Sequence, residues 1–520
     1  YNKFIKTKIF KKLSEHIDKS DDQVVSVLYD LCGLEFVNDS DTKGRPWYEF
    51  KNHRWKKTLS GIELRKNIST KLTQVYIDFE NFSFRACDYD IDGDNTDIID
   101  ELNEQVNNVE EIINNRNSDE WSSVNTICSY IITKCGSTSY KETLMTAASY
   151  IFNHYEFQEK LNENKSLIGC ENGIIDLDNR LHRPGTPDDL ITYSTKTNYI
   201  KDYKQKPEYK EIKEFYKQVH QTDEMVEYAL KERAIHLHGS TCEEKFFFHV
   251  GKGGNGKSKE KELCENAFGD YCCNLPVTFF TGSKTGSSSA QPDLMRTQGK
   301  RMLFVDETEE NDKFNMGALK KLTGGDSIEG RGLYVGMTQF YPQFYITFNV
   351  NYVPSWNAQD RGAARRALIV KYKSIFTRNP TKENEYPIDT TISVKIKRWK
   401  HVYFSLLVDY YYKYCEEGLN PPQEVLNHTE QIIQNMDKFS NFIPDTIEKI
   451  SDKTKFIELR ILYASFGTWF RQQGIPSRDY KDYREFVSYI RNNINDTGAI
   501  IGRKIYGYQF IEEEGDNFSG

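Results

Sequence analysis

The chain has 520 residues, 38% of them apolar and 13% aromatic, which is enough for several packed domains. With 77 acidic against 69 basic residues the net charge is −8, which excludes a protein that coats nucleic acid through its overall charge but leaves room for a local basic surface. No window approaches the ~20 consecutive apolar residues of a membrane span, and the basic opening "YNKFIKTKIFKK" lacks the continuous apolar stretch of a secretory signal, so neither a membrane partner nor secretion is expected.

The ten cysteines contain no C-x-x-C pair, so a zinc site is not expected and a reducing compartment is. A chain that starts at Tyr1 reads as a fragment of something longer. Residues 1–150 alternate helical patterns with polar breaks. Within them 46–57 predicts strand, turn at Asn52-His53, strand; further on, 165–185 predicts two short apolar strands with Asn-Gly and Asp-Asn turns. The stretch "CDYDIDGDNTDIID" (87–100) opens like a calcium loop, but Ile99 stands at the twelfth position, where a bidentate Glu is required, so it reads as an acidic exposed loop. An amphipathic helix is predicted over 208–239. From 246 to 376 apolar strands alternate with helices, the mark of an α/β core. Residues 391–418 are helical again, closed by Gly418 and Pro421-Pro422. The last part predicts helix, helix and a β-like "AIIGRKIYGYQFI".

The chemistry sits in the α/β stretch. "GKGGNGKS" (251–258) satisfies G-x-x-x-x-G-K-[ST], with a predicted strand before it and a predicted helix after it. Gly251, Gly253, Gly254, Asn255 and Gly256 allow a turn whose backbone N–H groups point inward around a phosphate. Lys257 can reach the β/γ oxygens and Ser258 can ligate Mg2+, while the helix N-terminus adds partial positive charge. The pattern implies ATP and Mg2+ as cofactors. A strand at 302–305 ends in Asp306, suited to hold Mg2+ through water, and Glu307, suited to polarise the attacking water. Another strand at 344–348 leads to Asn349 and Asn351, where a polar residue can orient that water. Arg365 and Arg366 precede a further strand, and either could reach a neighbour's γ-phosphate; a salt-bridged structural pair is the alternative.

Taken in order, "GKGGNGKS", "KRMLFVDETEE", "KKLTGGD", "FYITFNVNYVP" and "DRGAARRALIVKY" resemble the superfamily III helicases, and within them the poxvirus-type primase–helicases of large DNA viruses, phages and plasmids. The strong match covers about 246–376, and "KKLTGGD" is its most specific piece. More weakly, "SLIGCENGIIDLDNRLHRPG" resembles the family's pre-helicase domain, and "LYASFGTWFRQQG" with "GRKIYGYQFIE" resembles its winged-helix segment. The resemblance implies an AAA+ type P-loop ATPase core of α/β class. It implies an α-rich, collar-like N-terminal domain at 1–205, the helicase domain at 206–380, a helical extension at 381–440 and a winged-helix-like domain at 441–520. It also implies a ring, usually a homo-hexamer, with ATP at each subunit interface, a primase domain on the same full-length chain, and work at a viral replication site in the host cell. Lys257 and Ser258 match the family's nucleotide-loop residues and Glu307 its catalytic acid. Asp306 falls where many relatives carry a small polar residue. Asn351, three residues before Pro354, matches the sensor asparagine better than Asn349, and Arg365 and Arg366 match the paired arginines.

Between the "LTGGD" run and the asparagine strand, two strands are predicted around Val335-Gly336-Met337, a hairpin. The resemblance places such a hairpin in the ring's channel, gripping single-stranded or forked DNA. Lys320, Lys321 and Arg331 would face phosphates and Tyr334 could stack; alternatively the lysines cap a helix and Tyr334 is core. Arg484, Arg491, Arg503 and Lys504 form a second basic face, the last two on the presumed wing. "HLH" (236–238) mimics the histidine pair of a nicking nuclease but has no downstream room for that domain. A DNA helicase motor is therefore favoured over a nicking replication initiator and over an ATP-gated DNA-binding scaffold.

Overall fold

Stripes of apolar residues at helical spacing make the first part of the chain α-rich. Helices Lys3–Glu15, Asp21–Cys32, Thr73–Cys87, Ser118–Cys135 and Thr138–Ile151 each bury one face. Ser20, Asn117 and Ser137 cap three of them by accepting backbone N–H bonds. Their shared core gathers Phe10, Phe79, Phe82 and Trp121, with the Phe10 and Phe79 rings 4.9 Å apart edge to face. The predicted hairpin is present as Trp47–Lys51 paired with Arg54–Thr58, and Asn52 and His53 both take positive φ, 53° and 67°, as a tight hairpin turn demands. Phe36–Asn38 adds a third strand. The predicted pair at 165–185 is also three-stranded: Leu167–Cys170, Gly173–Asp176 and Leu181–Arg183.

This computed structural model describes residues 3–39, 46–89, 96–281, 291–306, 314–331, 337–354, 356, 360–436, 441–473, 481–494 and 499–511. They form two compact units, Tyr1–Lys201 with Asn266–Tyr271, and Asp202–Glu265 with Cys272–Gly520. Most of the acidic stretch at 90–95 lies outside the described residues, and 96 onward is the helix Thr96–Gln105.

The second unit is built on one parallel sheet. Strands β1 (Phe246–Val250), β2 (Cys272–Leu275), β3 (Met302–Asp306), β4 (Tyr345–Val350) and β5 (Ala367–Lys371) lie in the order β5-β1-β4-β3-β2. "FFFHV", "MLFVD", "YITFNV" and "ALIVK" are near-continuous apolar runs and almost wholly buried, as a parallel sheet covered on both faces requires. This is the expected α/β core. The helix predicted over 208–239 is broken in two, α1 (Pro207–His220) and α2 (Asp223–Ala234). Gln221 takes φ 67°, and Thr222 caps α2 by accepting from the Met225 N–H. Thr222 followed by Asp223-Glu224 is a helix start embedded in a continuous amphipathic pattern. After β1 comes α3 (Lys257–Phe268); α4 (Met316–Thr323) follows β3; α5 (Ile392–Glu417) runs 26 residues and stops at Gly418, φ 81°.

Between α4 and β4 the predicted hairpin is present as an antiparallel ribbon, Ile328–Arg331 against Met337–Phe340. The C-terminal part has helices Leu459–Gln472 and Tyr483–Asn493 and short strands around its own core of Phe442, Leu462, Phe466, Phe486 and Ile505. Among the described residues no helix is long and apolar enough to cross a membrane.

Candidate active site

The apolar run of β1 stops at Gly251, and the loop turns into α3. A Cβ on Gly251 would lie 2.2 Å from Asn255 Nδ2, so the close approach of the loop to itself requires glycine there. Gly254 and Gly256 sit at φ 78° and 90°, a region side chains disfavour. Asn255 is buried and braces the turn: its Nδ2 donates to the Lys252 carbonyl at 2.7 Å and its Oδ1 accepts from the Lys257 N–H at 3.3 Å. Gly253 faces open space and Ser258 is exposed. Lys257 is only 8% exposed. Its ammonium donates to the Gly251 carbonyl and has no ion pair among the described residues; burial pushes its pKa down to about 8.

Two neighbouring strand tips complete this carboxyl edge of the sheet. In register, Asn349 stands opposite both His249 of β1 and Asp306 of β3. Asn349 Nδ2 donates to Asp306 Oδ1 at 3.3 Å, and Lys261, one turn into α3 beyond Lys257, pairs with the other Asp306 oxygen. Asn351 is exposed beyond the strand end. Spacing from Pro354 points to Asn351, whereas the strand register brings Asn349 to the acid. Glu307 lies outside the described residues.

Behind the loop is a buried ionic cluster that spacing alone does not reveal. Arg233 of α2 pairs with its neighbour Glu232 at 2.5 Å and with Glu260 of α3 at 3.0 Å. His249 Nε2 lies 3.2 Å from Glu232, His220 Nε2 lies 3.3 Å from Glu260, and the Tyr372 hydroxyl donates to Glu260 at 2.6 Å. Burial alone would raise both carboxyls. The Arg233 guanidinium outweighs it, helped at Glu232 by His249 and at Glu260 by His220, holding Glu232 at about 2 and Glu260 well below the carboxylate range. Burial, with Arg233 beside it, holds His249 below its usual value. The cluster ties α1 and α2 to β1 and α3, the two elements that flank the loop. The available signal is one histidine inside the buried strand "FFFHV", since a polar residue there needs a partner.

The arginine pair sits at the opposite edge. Arg365 and Arg366 immediately precede β5, whose first residue is in register with Phe246, the first residue of β1. One oxygen of Glu244 accepts from Arg365 at 2.9 Å and from Arg366 at 3.0 Å. The Arg365 side chain is 65% exposed and that of Arg366 11%. Around them Cys242, Glu243, Glu244 and Lys245 line a cleft of about 450 Å3.

The residues expected to meet DNA are spread wider. The Lys320 ammonium is held by Asp360 at 2.7 Å, an intramolecular role of the kind weighed as the alternative but with a partner the sequence does not point to, while Lys321 and Arg331 are exposed. Tyr334 lies outside the described residues. Arg484, Arg491 and Arg503 are exposed, and Lys504 lies over the Phe456 ring, 3.6 Å from its centroid. His236 is fully buried with Nδ1 3.1 Å from the Arg301 carbonyl, and His238 Nδ1 accepts from the Ser240 N–H, so "HLH" serves packing.

Comparison with known proteins gives four findings. A family model described as "D5 N terminal like" matches residues 25–221. The L207/L206 protein of Acanthamoeba polyphaga mimivirus, named as a candidate helicase, is 30% identical over 500 residues, 94% of this chain and 50% of its own length. The C962R protein of African swine fever virus (isolate Warthog/Namibia/Wart80/1980), named as a candidate primase, is 20% identical over 86% of this chain and 47% of its own length. Among solved structures, the apo NrS-1 C-terminal region aligns with a TM-score of 0.34 at 11% identity, covering 57% of this chain and 64% of that one. The chain thus spans about half the length of the curated relatives it matches. A D5-type N-terminal region in the same chain as an α/β core, with similar proteins in large DNA viruses named for helicase and primase roles, supports a viral primase–helicase family for this chain.

Proposed function

We propose that this chain is the ATP-driven motor of a viral primase–helicase: a superfamily III, AAA+ type P-loop ATPase that works as a homo-hexameric ring, translocates on single-stranded DNA and opens forks. The observation that carries the reading is the separation of charge along the sheet. The glycine loop, Lys257, Asp306 and Asn349 gather at the carboxyl ends of the strands, and Arg365 with Arg366 stand at the amino ends. A five-residue strand spans ~16 Å, too far for an arginine to serve the pocket of its own chain. A ring in which each copy offers an arginine from this segment to the next uses both edges.

The residues at the carboxyl edge fit ATP with Mg2+. Two glycines at positive φ shape a turn whose backbone a phosphate can approach closely, and a buried ammonium with no ion pair among the described residues favours an anion. Lys257 would hold the β/γ oxygens, Ser258 and Asp306 the metal, and Asn349 would orient water beside Asp306. Glu307, next in sequence, is proposed as the acid that polarises that water. The metal supplies charge neutralisation on the transferring phosphoryl group. The neighbour's arginine stabilises the charge that develops there. Exposed Lys321 and Arg331, near or on the ribbon, and Tyr334, which lies between the two ribbon strands in sequence, are proposed to meet the strand, and Arg503 and Lys504 of a winged-helix-like C-terminal domain to meet duplex. A primase domain on the full-length chain, preceding this portion, completes the proposal.

ATP hydrolysis measured with and without single-stranded DNA, followed by displacement on a forked duplex, tests this reading. The motor hydrolyses faster with DNA and separates the fork. Slow hydrolysis that ignores DNA, with no displacement, would favour an ATP-gated scaffold instead.

A further inference from the structure

The two arginines are chemically alike and differently placed. Arg365 is mostly exposed and its side chain meets Glu244. Arg366 is nearly buried and spans two elements: Nε and Nη2 bind Glu244, and Nη1 donates to the backbone carbonyl of Lys320 at 3.1 Å. Lys320 is the fourth-last residue of α4, so its carbonyl is one of those a helix leaves without an intrahelical backbone partner. The guanidinium therefore caps α4. A second pin lies beside it, because the Lys320 ammonium binds Asp360, whose other oxygen accepts from the Ala363 N–H at 3.1 Å in the short segment leading to Arg365. A Cβ on Gly324, the residue after α4, would stand 3.0 Å from the Lys320 carbonyl and 3.6 Å from Arg366 Nη2, so the cap is close-fitting. Directly beyond it, Ile328 anchors the antiparallel ribbon in the core beneath the sheet.

We infer that the pair divides its work. Arg365 faces the neighbouring copy's triphosphate, and Arg366 acts inside its own chain as a positioning residue that links the arginine segment to the helix carrying the ribbon. The inference rests on the proposed ATP-driven function. Movement of the 360–366 segment when Arg365 leaves Glu244 for a phosphate is passed through Arg366 to α4 and so to the ribbon. A lysine at 366 could reach Glu244 or the Lys320 carbonyl but cannot span both.

The test compares Arg365→Ala, Arg366→Ala and Arg366→Lys in the full chain, each alone and mixed with wild type. Wild type must first hydrolyse ATP faster with single-stranded DNA; failure there overturns the underlying reading, and the inference with it. Given that activity, added Arg365→Ala should depress mixed samples more than in proportion, because each copy silences its neighbour's pocket and one silent pocket stalls coordinated turnover around the ring. Added Arg366→Ala should depress them in proportion only. Alone, Arg366→Ala should lose about 5-fold or more of the DNA stimulation while its KM for ATP stays close to wild type. Arg366→Lys should fold with a wild-type melting profile and show the same loss of stimulation, which also carries the test if the alanine variant does not fold. Poisoning by Arg366→Ala equal to that by Arg365→Ala, or full DNA stimulation in the lysine variant, would overturn the division.

Discussion

Behind the loop at the carboxyl edge of the sheet, four charged or titratable groups are buried and paired: Arg233, Glu232, Glu260 and His249 are all 2% exposed or less and bond to one another. At the amino edge Arg365 lies 65% exposed beside Glu244. The first arrangement fixes geometry, because an ion taken out of water holds its partners tightly or unfolds its surroundings. The second leaves a charge available, because an exposed pair in high dielectric is worth little and exchanges readily. One edge is built to keep a loop still and the other to make and break contacts.

The largest effects should separate the edges by what is lost. Lys257→Ala should abolish ATP hydrolysis at the carboxyl edge with the fold intact by circular dichroism; normal turnover would remove the nucleotide assignment. Arg365→Ala should cost ~10³–10⁵ in DNA-stimulated turnover, the range an arginine finger supplies, while leaving the unfolding midpoint of the chain where it was.

Glu260→Gln should do the reverse. Removing one partner from a buried ionic cluster costs ~3–5 kcal/mol, so the urea midpoint of the second unit should fall sharply, whereas Glu244→Gln should barely move it. Equal shifts would erase the distinction between the edges. The same carboxylates predict acid sensitivity. Glu232 is held at about 2 in the folded chain against an ordinary 4.5, and Glu260 lower still. The folded state thus resists protonation that the unfolded state accepts. Their stabilisation is complete above about pH 4.5 and is lost as pH falls from there towards 2. A urea midpoint unchanged between pH 5 and 3 would mean the cluster is not ionised.

A smaller effect has the opposite sign. Lys257 has a folded pKa of about 8 against an ordinary 10.5, because burial opposes its charge. Below pH 8 both folded and unfolded states carry the proton and the folded state bears the full burial cost; between 8 and 10.5 the folded state sheds it first and the cost is relieved. Lys257→Met should therefore stabilise the nucleotide-free protein by ~2 kcal/mol at neutral pH, with the advantage shrinking above pH 8. A destabilised variant at pH 7 would show that the ammonium is better solvated than its burial suggests.

The loop, the acidic strand tip and the arginine pair are local patterns, and local patterns survive in one dimension. "FFFHVGKGGNGKS" marks strand, turn and helix by hydropathy and glycine spacing, and β1 and α3 begin where that pattern places them. What the sequence hides depends on register and on distant partners. Asn349 and Asn351 are both polar residues near a strand end; only the pairing of β4 with β3 puts Asn349 beside Asp306. Arg233 and Glu260 are far apart along the chain and meet because α2 and α3 both pack near β1. The unequal exposure of Arg365 and Arg366 follows from which side of the chain faces α4, and two adjacent arginines carry no sign of it.

The central claim is that a pocket is finished by a second copy of the chain. It is tested most directly by mixing Lys257→Ala with Arg365→Ala, each inactive by itself, and measuring ATP hydrolysis with single-stranded DNA. The account predicts that the mixture regains activity, because an intact Lys257 from one copy meets an intact Arg365 from the next. A mixture as inactive as its two components, beside an active wild type, would contradict it.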